Sequence, residues 1–214
     1  MKCGVCGFTT DQLIWAEDGW RRCRFCGSDT NHGRRRHGEY SIDYAENAVQ
    51  NDGKQKLREQ LTTNVELIRK LRGERKTAID VGCNEGTLVE MLQEDGWEAV
   101  GFDIYPGIAS LVADEYDAIY GAYDLVICRE VIEHVAEPER LLRELIASLA
   151  PGGLLHIQTP RPIERYSAIV YQSYHDHILS PMALGGLAAG RGLREVDRLI
   201  WDCGQCWTWV NSAG

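Results

Sequence analysis

The sequence has no long run of apolar residues. Its longest stretch without Lys, Arg, Asp or Glu spans 145–160, and Pro151, Gly152 and Gly153 interrupt it. A membrane-spanning helix needs about 20 predominantly apolar residues, so this stretch is not one. The first residues also lack the apolar run behind a basic start that marks a secretory signal. We therefore expect a soluble cytoplasmic protein.

Positive charge is also scarce. The 214 residues include 23 Lys and Arg against 32 Asp and Glu, a net charge of −9. A uniformly basic nucleic-acid-binding protein is therefore disfavoured. The charge is uneven, because residues 1–38 carry +3 and the remainder carries −12. Arg34, Arg35 and Arg36 form either a solvated linker or a contact for an anionic substrate, an RNA or a protein partner.

Cysteine, by contrast, is plentiful, with eight residues, six of them in Cys-x-x-Cys pairs. Without an export signal, these thiols indicate metal ligands or buried thiols rather than disulfides. The pairs Cys3/Cys6 and Cys23/Cys26 have the spacing of a four-cysteine zinc site. A glycine after each pair permits a tight turn.

Short strands are predicted between these two pairs, over 12–15 and 19–22. A segment of about 30 residues buries too little surface to fold alone, so a bound metal would supply its stability. Residues 1–28 resemble the zinc ribbon family and include all four ligands. The resemblance implies a zinc ion, and the module is either a structural or docking unit or a direct reader of the substrate.

The length of the chain suits one α/β domain with a small appendage. Residues 29–53 are rich in Gly, Arg, Asn and Asp and are interpreted as a connector. The predicted boundaries are a zinc ribbon over 1–33, a linker over 34–53 and an α/β domain over 54–214. That domain begins with an amphipathic helix over 54–72, where apolar residues recur every three or four positions.

A nucleotide-binding corner is predicted near the start of the α/β domain. A buried-type strand over 77–81 leads into the glycine turn 82–86, and a helix follows over 87–93. Glycines let the backbone approach a ligand closely, and the helix N-terminus offers free N–H groups. A second strand ends at Asp103, whose carboxylate can accept hydrogen bonds from both hydroxyls of a ribose.

With these elements the chain resembles the class I S-adenosylmethionine-dependent methyltransferases. Four blocks carry the resemblance, in the family's order, over 79–86, 101–103, 123–135 and 149–155. The resemblance covers about residues 40–200 of the sequence. It implies S-adenosylmethionine as cofactor and a Rossmann-like α/β fold, with a mostly parallel sheet and an antiparallel last strand.

The resemblance also implies roles at the cofactor corner. Gly82 and Gly86 would pass beneath the methionine part, Asp80 would order the loop or meet the amino group, and Asp103 would hold the ribose. Asn84 stands where the family usually has a second glycine, and asparagine tolerates the positive φ of such a turn. The full expected cofactor set is Asp80, Gly82, Cys83, Asn84, Gly86, Asp103, Ile104, Asp117 and Arg129.

A dinucleotide site is the alternative interpretation of the same glycines. Hydride-transfer enzymes need a G-x-G-x-x-G pattern after the first strand. Here Val89 stands where the further glycine would be expected. The dinucleotide interpretation is therefore disfavoured.

Acidic and imidazole side chains follow the next predicted strand, over 123–128. If 129–135 is helical, Glu130, Glu133 and His134 share one face, where they can bind a divalent cation or act as acid and base. This resembles metal-assisted methyltransferases, namely the small-RNA terminal 2′-O-methyltransferases and some ubiquinone-pathway O-methyltransferases. That resemblance implies magnesium or manganese on Glu130, Glu133, His134 and His177, or on His175 in place of His177. Without a metal the same groups would line the pocket, with His134, His175 and His177 as candidate general bases.

The remaining pattern supplies core elements. We predict a helix, a strand, a short helix and two closing strands over 138–149, 154–158, 180–190, 193–201 and 206–210. Cys203 and Cys206 would lie in the turn between the closing strands, as turn or buried thiols rather than a second metal site.

The sequence thus predicts methyl transfer to a hydroxyl, less favourably to C or N, of a small-molecule or sugar-like acceptor. The net charge of −9 disfavours long nucleic acid as that acceptor. The first alternative is a metal-assisted RNA ribose 2′-O-methyltransferase, which the basic N-terminal segment and the Glu/His set favour. The second is a non-catalytic zinc-ribbon adaptor with a vestigial cofactor fold, which the intact glycine turn and Asp103 disfavour.

Overall fold

The fold is seen in a computed structural model. It describes residues 2–8, 12–15, 19–32, 51–103, 121–164, 167, 170–171, 175–200, 202 and 204–212. The predicted positions Ile104, Asp117 and Cys203 lie outside the described residues, as does most of the predicted linker. In chain order the described elements are β1 Gln12–Trp15, β2 Trp20–Arg22, β3 Asp29–Asn31, α1 Asn51–Leu71, β4 Thr77–Val81, α2 Thr87–Glu94, β5 Glu98–Phe102, β6 Tyr123–Arg129, α3 Pro138–Ala147, β7 Leu149–Pro160, β8 His177–Ile178, α4 Pro181–Ala189, β9 Leu193–Ile200 and β10 Gly204–Asn211.

The larger sheet has six strands in the order β5-β4-β6-β7-β10-β9. Strands β4, β5, β6 and β7 pair in parallel, and β10 runs antiparallel to both of its neighbours. The predicted Rossmann-like α/β architecture, with a mostly parallel sheet and an antiparallel last strand, is confirmed. The carboxyl ends of four parallel strands therefore meet along one edge, where ligands of open α/β sheets bind.

Alternating side chains of the strands bury the two faces of this sheet against different helices. Leu125 and Ile127 of β6 lie in one apolar cluster with buried residues of α1 and α2. Val126 and Cys128 of the same strand lie in the other cluster, with buried residues of α3 and α4. This period of two is the expected pattern for a strand that is covered on both faces. None of the described helices is long and apolar enough to cross a membrane.

A second, four-stranded sheet joins the N-terminal strands to the α/β domain in the order β1-β2-β3-β8. Here β3 pairs antiparallel with β8, which belongs to the α/β domain. The interpretation of residues 29–53 as a connector is therefore wrong at its start, because Asp29–Asn31 is a buried strand. We use the name N-terminal module for the described residues between 2 and 32.

Two local predictions are also corrected. The segment after β6 is a turn rather than a helix, and Glu130 at its start has a φ of 52°, which a helix does not permit. The closing hairpin turns earlier than predicted, because β10 already begins at Gly204. Cys206 therefore lies within a strand, paired with Gln158 of β7 and Leu199 of β9, rather than in the turn.

Candidate active site

The glycine turn after β4 has the conformation that a close ligand approach requires. Gly82 and Gly86 have φ values of 82° and 79°, and Asn84 has a φ of 49°, the left-handed conformation predicted for it. A Cβ at Gly82 would lie 2.1 Å from Cγ2 of Val131, so the segment after β6 packs directly on the turn. The two segments therefore lie against each other at the carboxyl ends of β4 and β6, where ligands of open α/β sheets bind in a crevice.

Asp103 lies at the same crevice and touches the glycine turn. Its Oδ2 accepts a hydrogen bond of 2.9 Å from the backbone N–H of Asn84. The backbone carbonyl of Phe102 accepts from the N–H groups of Gly82 and Cys83, at 2.7 and 3.1 Å. These contacts join the exits of β4 and β5, so one ligand can meet both the turn and the carboxylate.

Asp80 is the buried charge of this corner, with only 4% of its surface exposed. Burial raises its pKa to about 7, the nearby Asp103 carboxylate adds to the rise, and the Arg129 guanidinium opposes it. A cation placed beside Asp80 would favour its ionised form. Of the other predicted cofactor residues, Cys83 directs its side chain toward Gly101, where an added Cβ would lie 2.6 Å from its Sγ. Burial raises the pKa of the Cys83 thiol to about 12.

Beside this crevice, Glu133, His134 and His175 come together, with one ligand atom of each within 4.8 Å of the others. Glu130 and His177, the other predicted metal ligands, are not in this group. The turn after β6 presents Glu133 and His134, and the segment that precedes β8 presents His175. The imidazole rings of His134 and His175 meet edge to face, with their centroids 4.7 Å apart.

The three side chains of this group differ in their access to solvent. Glu133 is fully buried, His175 is 4% exposed, and the His134 side chain is 20% exposed. Burial, followed by the charge of Glu130, raises the pKa of Glu133 well above its usual value. Burial also lowers the pKa of His175 to about 4, with the neighbouring His134 as a further cause. Burial therefore favours the neutral form of both groups.

Hydrogen bonds fix the orientation of both buried groups. His175 Nδ1 lies 2.7 Å from the carbonyl oxygen of Val170, which can only accept, so Nδ1 carries the proton. Thr159 Oγ1 donates to Glu133 Oε2 at 3.0 Å. Glu133 Oε1 is buried without a hydrogen-bond partner in the described part of the chain, and His134 Nε2 lies 3.9 Å from it. The unsatisfied oxygen indicates that a proton or a cation belongs there.

A partly buried polar network surrounds the end of β6. Gln158 Nε2 donates to Glu130 Oε1 at 3.0 Å, and Gln158 Oε1 accepts from Asn64 Nδ2 at 3.1 Å and from Arg129 Nε at 3.4 Å. His156 Nε2 accepts from the same Asn64 amide at 3.1 Å. Burial lowers the His156 pKa to about 3, so this imidazole is a neutral structural group.

The four cysteines of the N-terminal module also converge. One sulfur of each of Cys3, Cys6, Cys23 and Cys26 lies within 4.8 Å of the others, which suits the tetrahedral site of a zinc ion. The hydrogen bond between the thiols of Cys3 and Cys26 lowers the pKa of Cys3 and raises the pKa of Cys26.

His177 lies against this cysteine cluster rather than in the Glu133 group. A Cβ on Gly4, between the first two cysteines, would lie 2.0 Å from Cε1 of His177. Its Nε2 is 3.3 Å from the carbonyl oxygen of Ala136. Of the two alternatives for the later histidine, the one that shares a cluster with Glu133 and His134 is His175.

Sequence reasoning missed the residues that hold the cluster in place. These are Asp29, Asn31, Asn64, Gln158, Thr159, Val170 and Tyr171. Two of them carried a signal, since Gln158 ends the predicted strand 154–158 at the expected ligand edge and Thr159 follows it directly. The others act through contacts between distant segments, for which no local pattern exists.

Comparison with known proteins adds to this picture. A family model described as a methyltransferase domain matches residues 54–197. The ubiquinone biosynthesis O-methyltransferase of Bordetella avium is 30% identical over 159 residues, which are 60% of this chain and 65% of that protein. The Vibrio parahaemolyticus protein of the same name is 29% identical over 131 residues, 48% of this chain and 56% of its own length. The chain therefore spans less than two thirds of both curated relatives.

Solved structures share the fold. A SAM dependent methyltransferase from Archaeoglobus fulgidus has a TM-score of 0.62 and 17% identity, and the match covers 80% of this chain and all of that one. The N-methyltransferase NodS from Bradyrhizobium japonicum, in complex with S-adenosyl-l-homocysteine, has a TM-score of 0.56 and 18% identity over 79% and 97% of the two chains. Because the family model matches more than half of the sequence, and the fold agrees, the chain belongs to the methyltransferase domain family.

Proposed function

We propose that this chain transfers the methyl group of S-adenosylmethionine to a hydroxyl of a small-molecule acceptor. The observation that carries the proposal is the 2.9 Å hydrogen bond between the Asn84 N–H and the Asp103 carboxylate, next to the Glu133, His134 and His175 cluster. A cofactor corner and an acid–base group thus border one edge of the sheet. The family membership supports methyl transfer as the reaction.

The donor side would bind the cofactor through backbone shape and two carboxylates. Gly82 and Gly86 leave room for the methionine part, and Asp103 accepts hydrogen bonds from the ribose hydroxyls. Asp80 is suited to the positively charged end of the cofactor, because a cation there stabilises its ionised form. Cys83, Asn84 and Arg129 border the same corner, and Ile104 and Asp117 stay predictions because they lie outside the described residues.

The acceptor side would supply the base. S-adenosylmethionine brings a methyl group that its positively charged sulfur already activates, so the protein chiefly holds donor and acceptor close and in line. A hydroxyl acceptor must lose its proton, and His134, with 20% of its side chain exposed, is the most accessible member of the cluster. Glu133 and His175 lie behind it and fix its surroundings. We therefore assign His134 as the general base, in preference to His175 and His177.

The acceptor class rests on two further observations. The curated relatives are named ubiquinone biosynthesis O-methyltransferases, which act on oxygen. The net charge of −9 disfavours a long polyanion as acceptor. A compact hydroxylated molecule fits both.

For the N-terminal module we propose a structural zinc ion on Cys3, Cys6, Cys23 and Cys26. The donor set fits this ion, because four largely buried cysteine sulfurs lie within 4.8 Å of one another. As thiolates they would repel one another, and a bound cation would neutralise that charge. The ion would hold the two cysteine turns together. Its chemistry is structural, since four protein ligands leave no open position for a substrate.

A second candidate function is supported by the unsatisfied Glu133 oxygen. A magnesium or manganese ion held by Glu133, His134 and His175 would satisfy it and would serve metal-assisted methylation of an RNA ribose hydroxyl. The basic N-terminal segment would then contact the RNA. In this case the ion, rather than a base, would lower the cost of removing the hydroxyl proton.

One assay separates these candidates. Labelled S-adenosylmethionine is offered with phenolic and sugar-like hydroxyl compounds and with short RNA, each with added manganese or with chelator. We expect label on a small acceptor, at a rate that the chelator leaves unchanged. Labelled RNA that disappears with chelator and in Glu133→Gln, but persists in the control Glu137→Gln at an exposed carboxylate, would instead establish the second candidate. Absence of cofactor binding would favour the non-catalytic adaptor.

A further inference from the structure

The N-terminal module pairs directly with the segment that carries His175. The β3–β8 pair aligns Asp29 with Ile178 and Thr30 with His177. Beyond it, the backbone N–H of Asn31 donates to the Asp176 carbonyl at 2.9 Å, and Asn31 Nδ2 donates to the His175 carbonyl at 3.2 Å. Asn31 is 2% exposed, so both bonds are shielded from water.

The turn after β6, which carries Glu133 and His134, holds the opposite edge of the same segment. The N–H groups of Asp176 and His177 both donate to the carbonyl oxygen of Glu133, at 2.8 and 3.1 Å. The His175 backbone thus lies between Asn31 on one side and Glu133 on the other. Loss of either support would let the imidazole move away from His134.

The N-terminal module also acts on the orientation of the imidazole. Val170, which accepts the His175 Nδ1 proton, packs with Tyr171 and Trp20 in one small apolar cluster. Tyr171 Oη donates at 2.8 Å to Asp29, a fully buried carboxylate that also accepts two hydrogen bonds from Arg22 at 2.8 and 3.0 Å. The module therefore supports the backbone of His175 and the carbonyl that fixes its tautomer.

We propose that Asn31 is a positioning residue for methyl transfer, which holds His175 against Glu133 and His134. Asn31 contacts the His175 backbone rather than its ring, so it acts through that histidine. The N-terminal module is then a working part of the acceptor side and not a detachable docking unit. The kinetic part of this inference rests on the proposed methyl transfer, whereas the placement of His175 does not.

The test compares two variants that each lose a buried hydrogen bond between the module and the α/β domain. Ser28→Ala also loses a hydrogen bond within the module, between its side chain and Cys26. Asn31→Ala removes the donor to His175, and the control Ser28→Ala removes the acceptor of the Ser180 N–H, a bond of 2.9 Å. We expect kcat to fall about tenfold in Asn31→Ala, because small misplacements of catalytic groups are costly, and to change less than about twofold in the control. KM for S-adenosylmethionine should change in neither.

A second readout is independent of activity. Long-range ¹H–¹⁵N spectra of the full chain with ¹⁵N-labelled histidine report which ring nitrogen carries the proton. In the wild type and in Ser28→Ala, His175 should be present only as the tautomer with the proton on Nδ1. In Asn31→Ala, the spectra should show a mixture of the two tautomers. Tyr171→Phe, which removes one hydroxyl and keeps the ring packing on Trp20, should shift the same signal if Asn31→Ala does not fold.

An unchanged His175 signal in Asn31→Ala, or an equal loss of kcat in Ser28→Ala, would overturn the proposal. A wild-type chain that methylates no acceptor would count against the proposed function alone, because the spectra still test the positioning.

Discussion

The proposed donor side and the proposed acceptor side of the site are built in different ways. The donor side is one continuous stretch, 77–103, and its decisive contact joins Asn84 to Asp103, 19 residues apart. The acceptor side is assembled from several distant segments, and Asp29 reaches Tyr171 across 142 residues. The donor side therefore depends on local strand–turn–helix geometry, and the acceptor side depends on the tertiary fold and on the N-terminal module.

The two sides also differ in how they treat charge. The donor corner keeps two carboxylates near a backbone turn, where a positively charged ligand can neutralise them. The acceptor cluster buries a carboxyl and an imidazole whose pKa shifts both favour the neutral form. Changes on the donor side should thus alter cofactor affinity, and changes on the acceptor side should alter the rate at unchanged affinity.

The largest effect is expected from the cysteine cluster. Cys23→Ser should abolish bound zinc and methyl transfer, because the module would lose its metal and with it the support of His175. Metal analysis of the purified protein should find one zinc per chain in the wild type and almost none in the variant. The matched control, Cys206→Ser, changes a buried thiol outside the cluster and should keep the zinc. Zinc retained by Cys23→Ser would refute the four-cysteine site.

The next effect concerns the base. His134→Gln should lower kcat by about a hundredfold or more, in the range that general bases contribute, with no change in S-adenosylhomocysteine affinity. His177→Gln should retain most of the rate, because His177 lies against Gly4 and outside the Glu133 cluster. Equal losses in the two variants, measured by initial rates, would contradict the assignment of His134.

On the donor side, Asp103→Ala should weaken S-adenosylhomocysteine binding about tenfold to a hundredfold, since hydrogen bonds to a charged group are lost. The control is Asp124→Ala at the other end of the sheet, where the carboxylate likewise accepts backbone N–H groups, from Lys76 and Thr77. Calorimetry should find lower stability but unchanged affinity in that control. Comparable affinities of Asp103→Ala and wild type would remove Asp103 from the site.

The smallest effect is a pH dependence of cofactor affinity. Because the pKa of Asp80 is raised to about 7, the carboxyl is mostly neutral below that pH and ionised above it. Affinity for the positively charged cofactor should therefore rise by up to about tenfold between about pH 6 and about pH 8. Asp80→Asn should give weak binding without this rise. A rise that persists in Asp80→Asn would assign the titration to another group.

The sequence predicted the donor side well for a physical reason. The glycine turn, the positive φ of Asn84 and the strand end at Asp103 follow from local backbone preferences. The convergence of the four cysteines likewise follows from their spacing.

The acceptor side was less predictable, because its form depends on distant partners. The carbonyl of Gln158 holds the Glu130 N–H at 2.9 Å, in a turn where local pattern favoured a helix. Asp29 can be buried because Arg22 and Tyr171 satisfy its carboxylate. The residues next to it in the sequence are polar and gave no sign of this burial, so the sequence pattern indicated a connector. His175 rather than His177 lies beside Glu133 and His134 because β8 pairs with β3, and no local sequence pattern predicts that pairing.

The most direct test of the central claim is calorimetric titration of the full chain with S-adenosylhomocysteine. The account predicts one molecule bound per chain, with affinity lowered by Asp103→Ala on the donor side and unchanged by His134→Gln on the acceptor side. Absence of binding to the wild-type chain, or binding that Asp103→Ala leaves intact, would contradict it.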